Sequence, residues 1–226
     1  MTLQLPPGIE AVFFDMDGTL IDSERLTEAA VEQLLAERGL PLPAFSLAAF
    51  HGMTWERIEQ ELVALYPLLA GHAMADRLQL TVDERMRRDL PPPIPGAVEA
   101  FLAASRACIA GIVSSSPRET IALVAERLGL TQACRVLVGA EDIKNSKPHP
   151  ECYRLAATRA GIPAGRSLVF EDSAAGVYAA KEAGAFVVGV RGRRDDADIA
   201  HLSSGTECVI ADYRDLPDDF FTRNSL

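Results

Sequence analysis

The chain has 226 residues, 48% of them hydrophobic and 24% charged, so it reads as globular and long enough to bury a substantial core. Its formal net charge of -10, with no block rich in Lys and Arg, argues against a general electrostatic attraction to nucleic acid or anionic lipid. Cys108, Cys134, Cys152 and Cys208 lie far apart with no CxxC pair, which indicates neither a zinc site nor a dense disulfide framework.

The opening MTLQLPPGIE has no positively charged start and no apolar stretch, and no apolar run in the chain is long enough to span a bilayer. A cytoplasmic protein with no membrane and no nucleic-acid partner is therefore expected. The first apolar run, Ala11–Phe14, is followed by residues 22–88, which show helical periodicity and no strand pattern. Residues 27–38, 54–66 and 73–88 predict three or four packed helices inserted after the first strand. The proline-rich DLPPPIPG at 89–96 is a stiff linker that returns the chain to the sheet.

Further short apolar runs follow at Ile109–Val113, 136–138, 168–170 and Phe186–Val190, rich in Val, Ile and Phe and apolar on both faces. Parallel strands covered by helices on both sides read this way. Between them, residues 117–128, Glu151–Ala160 and 173–183 read as helices stopped by Gly129, Gly161 and Gly184. The series predicts an α/β fold with a doubly wound, Rossmann-like parallel sheet. The expected domains are a core of residues 1–21 and 89–226 and a helical unit of 22–88. Arg191, Arg193 and Arg194 are followed at once by Asp195 and Asp196 and read as a solvated loop. No internal repeat or low-complexity tract is visible.

In an open α/β sheet the ligand crevice lies outside the carboxyl ends of the strands, so a polar residue directly after an apolar run points into it. The first run ends at Asp15 and Asp17, the second at Ser114, Ser115 and Ser116, and the fourth at Glu171 and Asp172; the segment after the third supplies Lys147. Four carboxylates with one nearby lysine would repel one another at low dielectric unless a cation joined them. Oxygen ligands select a hard divalent ion, and Mg2+ is the abundant one. A divalent ion, an ammonium and a row of hydroxyls facing one point are equipment for a phosphoryl group. Gly18 would let the backbone turn closely around such a site. Thr19 could orient a carboxylate, and it is counted with Ser115 and Ser116 among the groups that would touch substrate.

These residues resemble those of the haloacid dehalogenase superfamily, in its β-phosphoglucomutase-like branch with a helical cap after the first strand. Four signatures stand in order: DMDGTL, the serine of IVSSS, the lysine of KPHP and the acidic pair of FEDS. The resemblance spans residues 9–190 and implies a Mg2+-dependent phosphatase acting on a small phosphomonoester through a phosphoaspartyl intermediate. It implies Asp15 as nucleophile and Asp17 as general acid and then base. Ser114 and Lys147 would bind the transferring phosphoryl. Asp15, Asp17 through its backbone carbonyl, and Asp172 would hold the metal, with Glu171 close by or as an occasional ligand. It also implies a cis peptide between Lys147 and Pro148, and it puts His51, Trp55 and Arg57 at the substrate-facing edge of the cap. A monomer is expected, because a cap must move.

A plainer reading stands beside each of these. Ser114 to Ser116 could cap the helix opening at Pro117, Glu171 and Asp172 could cap the one opening at Ser173, and Trp55 serves equally as cap core. Two other functions are open. A phospho-receiver module gathers similar groups, but the inserted helices suit a lid over a small molecule better than a surface open to a kinase. A phosphomutase of the β-phosphoglucomutase type is the nearer alternative. By the resemblance, such an enzyme has a histidine where this chain has Thr27 and an arginine where it has Trp55; neither replacement does that job, and Arg57 is the substitute cation that keeps the mutase reading open.

Overall fold

The computed structural model describes residues 7–50, 55–192, 202 and 205–222. The chain divides into two compact units, one of Met1–Asp22 with Pro92–Leu226 and the other of Ser23–Pro91.

In the first unit six strands form one sheet: β1 (Ala11–Phe14), β2 (Ile109–Val113), β3 (Cys134–Val138), β4 (Ser167–Glu171), β5 (Phe186–Val190) and β6 (Cys208–Ile210). Among the described residues of the whole chain the α-helices are α1 (Glu24–Glu37), α2 (Trp55–Leu65), α3 (Met74–Arg88), α4 (Ala97–Ala107), α5 (Arg118–Arg127), α6 (Glu151–Ala160) and α7 (Ala174–Ala183). The strand order is β3-β2-β1-β4-β5-β6 with every pairing parallel, which is the doubly wound sheet expected from the sequence. The chain runs outward from β1 to β3, then returns to lay β4 on the other side of β1. The topological switch point therefore lies between β1 and β4.

Alternation along β1 explains why all four of its residues are apolar. Phe13 joins Val113, Val169, Tyr153, Ala156, Val177 and Ala180 in the core under α6 and α7. Phe14 points to the other face, where its ring stacks on Phe170 at 5.0 Å and meets Phe101 of α4 at 4.9 Å and Tyr213 at 6.0 Å. Burying each of these phenylalanines contributes roughly 1.5–3 kcal/mol, so a polar residue at 13 or 14 would break the sheet's centre. Gly129, Gly161 and Gly184 all take positive φ at the ends of their helices, as expected.

In the second unit α1, α2 and α3 bury apolar residues at helical spacing: Val31, Leu34 and Leu35; Ile58 and Leu62; Met74, Leu78, Val82 and Met86. Polar ties join them at their margins. Arg77 pairs with Glu37, Arg85 Nη2 donates to Gln33 Oε1 at 2.8 Å, and the backbone N–H of Ala75 donates to Glu59 Oε2 at 3.0 Å. No helix among the described residues is long and apolar enough to cross a membrane.

Among the described residues, a helix and a strand go beyond the sequence expectations. Helix α4 stands between the proline linker and β2, and β6 extends the sheet beyond β5. The third strand also begins earlier than expected, at Cys134.

Candidate active site

Strand register builds the site. Phe14 lies opposite Ile112 on β2 and opposite Phe170 on β4, so one further residue brings Asp15 level with Val113 and Glu171. Two backbone bonds carry the ladder past the strand ends: Asp15 N donates to Phe170 O, and Ser114 N to Val138 O, each at 3.0 Å. Asp15, Ser114, Glu171 and Asp172 thus converge at the carboxyl ends of three neighbouring strands, beside the switch point.

Lys147 reaches this point from the loop between β3 and α6, and its peptide bond to Pro148 is cis, as the resemblance implied. Its ammonium donates to Asp15 Oδ1 at 2.6 Å, to Glu171 Oε1 at 2.7 Å and to the Val113 carbonyl at 3.3 Å. All three of its N–H donors are used, and the side chain is 7% exposed. The end of β3 from which this loop departs is braced by Asp142, which accepts from Arg159 Nη2 at 2.6 Å, Arg118 Nη1 at 2.8 Å and Gly139 N at 2.9 Å. The bond from Arg159, with the others, holds the Asp142 carboxyl far below the usual carboxylate range.

Glu171 is 0% exposed and its carboxylate is saturated. Oε1 accepts from Lys147 and from the Tyr153 hydroxyl at 3.0 Å, and Oε2 accepts from Asp172 N, Ser173 N and Ser173 Oγ, each at 3.0 Å. Ser173 also caps α7 by accepting from Gly176 N at 3.0 Å, so the carboxylate sits at a helix N-terminus, where negative charge is favoured. Burial works against the ionised form, but Lys147 and these donors win and hold the Glu171 pKa below its ordinary value. Space for the carboxylate exists because residue 176 is glycine: a Cβ there would fall 1.7 Å from Oε1.

The same device serves Asp172. A Cβ on Gly18 would lie 2.1 Å from Asp172 Oδ2, and Gly18 has φ +77, so glycine is needed twice over. Thr19 Oγ1 donates to Asp172 Oδ1 at 3.1 Å. Asp17 is turned toward β2, where its Oδ2 accepts from Ser116 Oγ at 2.9 Å and Ser114 Oγ at 3.3 Å.

Asp15 bears the cost of the crowding. Burial raises its pKa well above the ordinary value, Lys147 opposes that shift, and the charges of Glu171, Asp172 and Asp17 add to it. Lys147 is itself penalised by burial, yet Asp15 and Glu171 outweigh the penalty and keep it firmly protonated. One buried ammonium thus faces two buried carboxylates, Asp15 at 2.6 Å and Glu171 at 2.7 Å, with Asp172 and Asp17 nearby.

Two expectations change, those on Thr19 and on the capping of α5, and one gains detail. Thr19, counted among substrate contacts, is 0% exposed and spends its hydroxyl on Asp172, so it orients that carboxylate instead. Glu171, expected close to the metal or as an occasional ligand, accepts five hydrogen bonds, one of them from Lys147, and its carboxylate lies within 4.8 Å of oxygens of Asp15 and Asp172. Helix α5 is preceded by Pro117 with no side-chain cap, so Ser116 serves Asp17 rather than the helix.

Ser115 is exposed next to this cluster. In the helical unit, the single donor of Trp55 is spent on Gln79 Oε1, and Arg57 is exposed and forms an ion pair with Glu61 at 2.5 Å. His51, Arg193 and Arg194 lie outside the described residues. Sequence reasoning missed Tyr153, Ser173 and Gly176. Only Gly176 carried a signal: a glycine inside a helical stretch weakens the helix and calls for a packing reason.

Fold and crevice together define a class, the α/β enzymes that gather acidic side chains at the switch point of a doubly wound parallel sheet. Within it, the family description "haloacid dehalogenase-like hydrolase" matches residues 9–184, and the chain belongs to that family. It is 31% identical over 194 residues to validoxylamine A 7'-phosphate phosphatase of Streptomyces hygroscopicus subsp. limoneus, covering 84% of this chain and 90% of that protein. It is 34% identical over 181 residues to a phosphorylated carbohydrates phosphatase of Thermotoga maritima, covering 78% of this chain and 82% of that one. Among solved structures, a haloacid dehalogenase-like protein from Agrobacterium tumefaciens superposes with a TM-score of 0.76 at 28% identity, over 90% of this chain and 93% of the other.

Proposed function

We propose that the chain is a phosphatase that hydrolyses a small phosphomonoester, a sugar phosphate or a near relative of one, through a phosphoaspartyl intermediate on Asp15. The observation that carries this reading is the buried Lys147 ammonium bridging Asp15 Oδ1 and Glu171 Oε1, with Ser114 and Asp172 beside it. The names of the two relatives, a validoxylamine A 7'-phosphate phosphatase and a phosphorylated carbohydrates phosphatase, support a small phosphomonoester as the substrate class.

In the first step a carboxylate oxygen of Asp15 attacks phosphorus, while Lys147, giving up its long 3.3 Å bond to the Val113 carbonyl, and the Ser114 hydroxyl bind the phosphoryl oxygens. Asp17 gives its proton to the departing alkoxide. In the second step Asp17 takes a proton from water as that water attacks the aspartyl phosphate and frees inorganic phosphate. Glu171, held by Tyr153 and by the start of α7, keeps Lys147 aimed throughout. Choice of substrate is assigned to side chains of the helical unit, with His51, Trp55 and Arg57 as candidates.

The donor set fits a hard divalent cation. Asp15, Glu171 and Asp172 each offer an oxygen, and these lie within 4.8 Å of one another with no nitrogen or sulfur among them. Asp15, Asp172 and the Asp17 backbone carbonyl are the groups that would hold Mg2+, with Glu171, which already accepts five hydrogen bonds, close by or as an occasional ligand. When bound, the ion supplies positive charge to the phosphoryl oxygens and to the crowded carboxylates.

The test is phosphate release from a panel of phosphorylated sugars, sugar acids, polyols, glycolate and nucleotides in the presence of Mg2+. At least one small phosphomonoester is expected to turn over many times per chain, and EDTA is expected to stop it until Mg2+ is restored. No release, or a single phosphoryl retained per chain, would overturn the reading. The mutase alternative is tested separately with β-glucose 1-phosphate and a trace of the 1,6-bisphosphate. The expected outcome is inorganic phosphate or no reaction, and efficient conversion to glucose 6-phosphate would make the chain a mutase.

A further inference from the structure

Ser116 has no part in the reaction as proposed, yet its hydroxyl is well fixed. Its Oγ donates to Asp17 Oδ2 at 2.9 Å, and its backbone N–H donates to Ser114 Oγ at 3.0 Å. Its carbonyl accepts from Ala140 N at 3.0 Å, which ties the segment to the end of β3. Ser116 is therefore anchored on both sides of its side chain, through its N–H to the Ser114 hydroxyl just after β2 and through its carbonyl to the Ala140 N–H just after β3.

Ser114 reaches the same Asp17 oxygen, at the longer distance of 3.3 Å. A serine hydroxyl has one hydrogen to give. When Ser114 gives that hydrogen to a phosphoryl oxygen, it cannot also give it to Asp17. Ser116 is then the donor that still holds the Asp17 carboxyl.

We propose that Ser116 is a positioning residue for Asp17: its hydroxyl keeps Oδ2 turned toward β2, so that Oδ1 is the oxygen that exchanges the proton with the substrate. The proposal rests on the reading of Asp17 as acid and base. In the first step the bond from Asp15 to phosphorus forms as the bond to the leaving oxygen breaks, and the proton on Asp17 Oδ1 passes to that oxygen to give an alcohol. In the second, the water oxygen bonds to phosphorus, the Asp15–phosphorus bond breaks, and one water proton returns to Oδ1. The Ser116 hydrogen is never transferred. A carboxyl group rotates broadly about its terminal torsion, and misplacing a reacting atom by about 1 Å can cost on the order of a hundredfold in rate, so a fixed donor on one oxygen has a large lever.

Leaving-group dependence separates this role from a structural or phosphate-binding one. A nitrophenolate departs without a proton, whereas an alkoxide needs one. The experiment measures kcat/KM for Ser116→Ala and Ser116→Thr on p-nitrophenyl phosphate and on the fastest alkyl phosphate of the panel, with thermal unfolding recorded for each variant. Ser116→Ala is expected to lose about tenfold more on the alkyl phosphate than on the aryl one. Ser116→Thr, which keeps the hydroxyl, is expected to recover most of that difference. Equal fractional losses on both substrates would overturn the proposal. So would a loss confined to KM and matched by an equal rise in the inhibition constant of inorganic phosphate, which is the signature of a direct phosphate contact. Wild type that hydrolyses neither substrate would overturn the phosphatase reading and this proposal with it.

Discussion

Asp15→Asn is expected to lower kcat by on the order of a thousandfold or more while leaving the fold intact. The amide has the shape of the carboxyl and its oxygen can still accept from Lys147, whose ammonium now stands 2.6 Å from Asp15 Oδ1. It cannot attack phosphorus, and it carries no charge with which to hold a cation. The effect on stability should have the opposite sign. Burial already pushes the Asp15 pKa well up, and the charges of Glu171, Asp172 and Asp17 add to that despite Lys147. Removing this one carboxylate relieves repulsion, so the melting temperature is expected to stay level or rise by a few degrees, about the shift that 1 kcal/mol produces in a domain of this size. Activity within tenfold of wild type, with deamidation excluded by mass, would rule Asp15 out as the attacking group. A large drop in melting temperature would show that the carboxylate serves the fold instead.

The parts of this site that were legible in sequence are those that local pattern alone can betray. AVFF running into Asp15, and LVFE running into Asp172, join continuous apolar text to carboxylates, and a buried strand can end on charge only where a crevice opens. Other features depend on contacts that pattern cannot reveal. Ser114, Ser115 and Ser116 are chemically alike, and only the twist of the chain after β2 decides that the first and third face Asp17 while the second is exposed. Tyr153 reads as one more apolar residue on α6, since the partner of its hydroxyl is supplied by β4. Helix α4 buries Ala97, Ala100, Phe101 and Ala104, a stripe too rich in alanine to stand out as an amphipathic face. Strand β6 has three residues at the sheet edge, shorter than periodicity can register.

Gly176 makes the strongest test of how the core of the site is packed, because two physical effects of opposite sign meet there. Gly176→Ala in a helix is favoured by roughly 1 kcal/mol from backbone entropy and propensity alone. Against that, the new methyl would fall 1.7 Å from Glu171 Oε1 and 2.0 Å from its Cδ, so the carboxylate must move. It is not the loose end of an exposed chain: it is fully buried and accepts from Lys147, Tyr153, Ser173 and the backbone N–H of Asp172. Each hydrogen bond to a charged group is worth about 1.5–3 kcal/mol, so losing even two of them outweighs the propensity gain and leaves a net destabilisation of about 2–5 kcal/mol. Lys147 would lose one of its two carboxylate partners and its aim at Asp15, and kcat is expected to fall about a hundredfold. Gly165→Ala is the matched control. A methyl there meets only the Gly184 carbonyl at 3.7 Å, so its stability should stay within about 0.5 kcal/mol of wild type. Urea unfolding and steady-state kinetics on the three proteins decide the matter. Gly176→Ala that is as stable as wild type would mean that the Glu171 carboxylate does not occupy the start of α7. The double variant Gly176→Ala with Glu171→Asp, which shortens the carboxylate to make room for the methyl, is expected to be more stable than the sum of its two single changes. Strict additivity would show that the two residues do not touch.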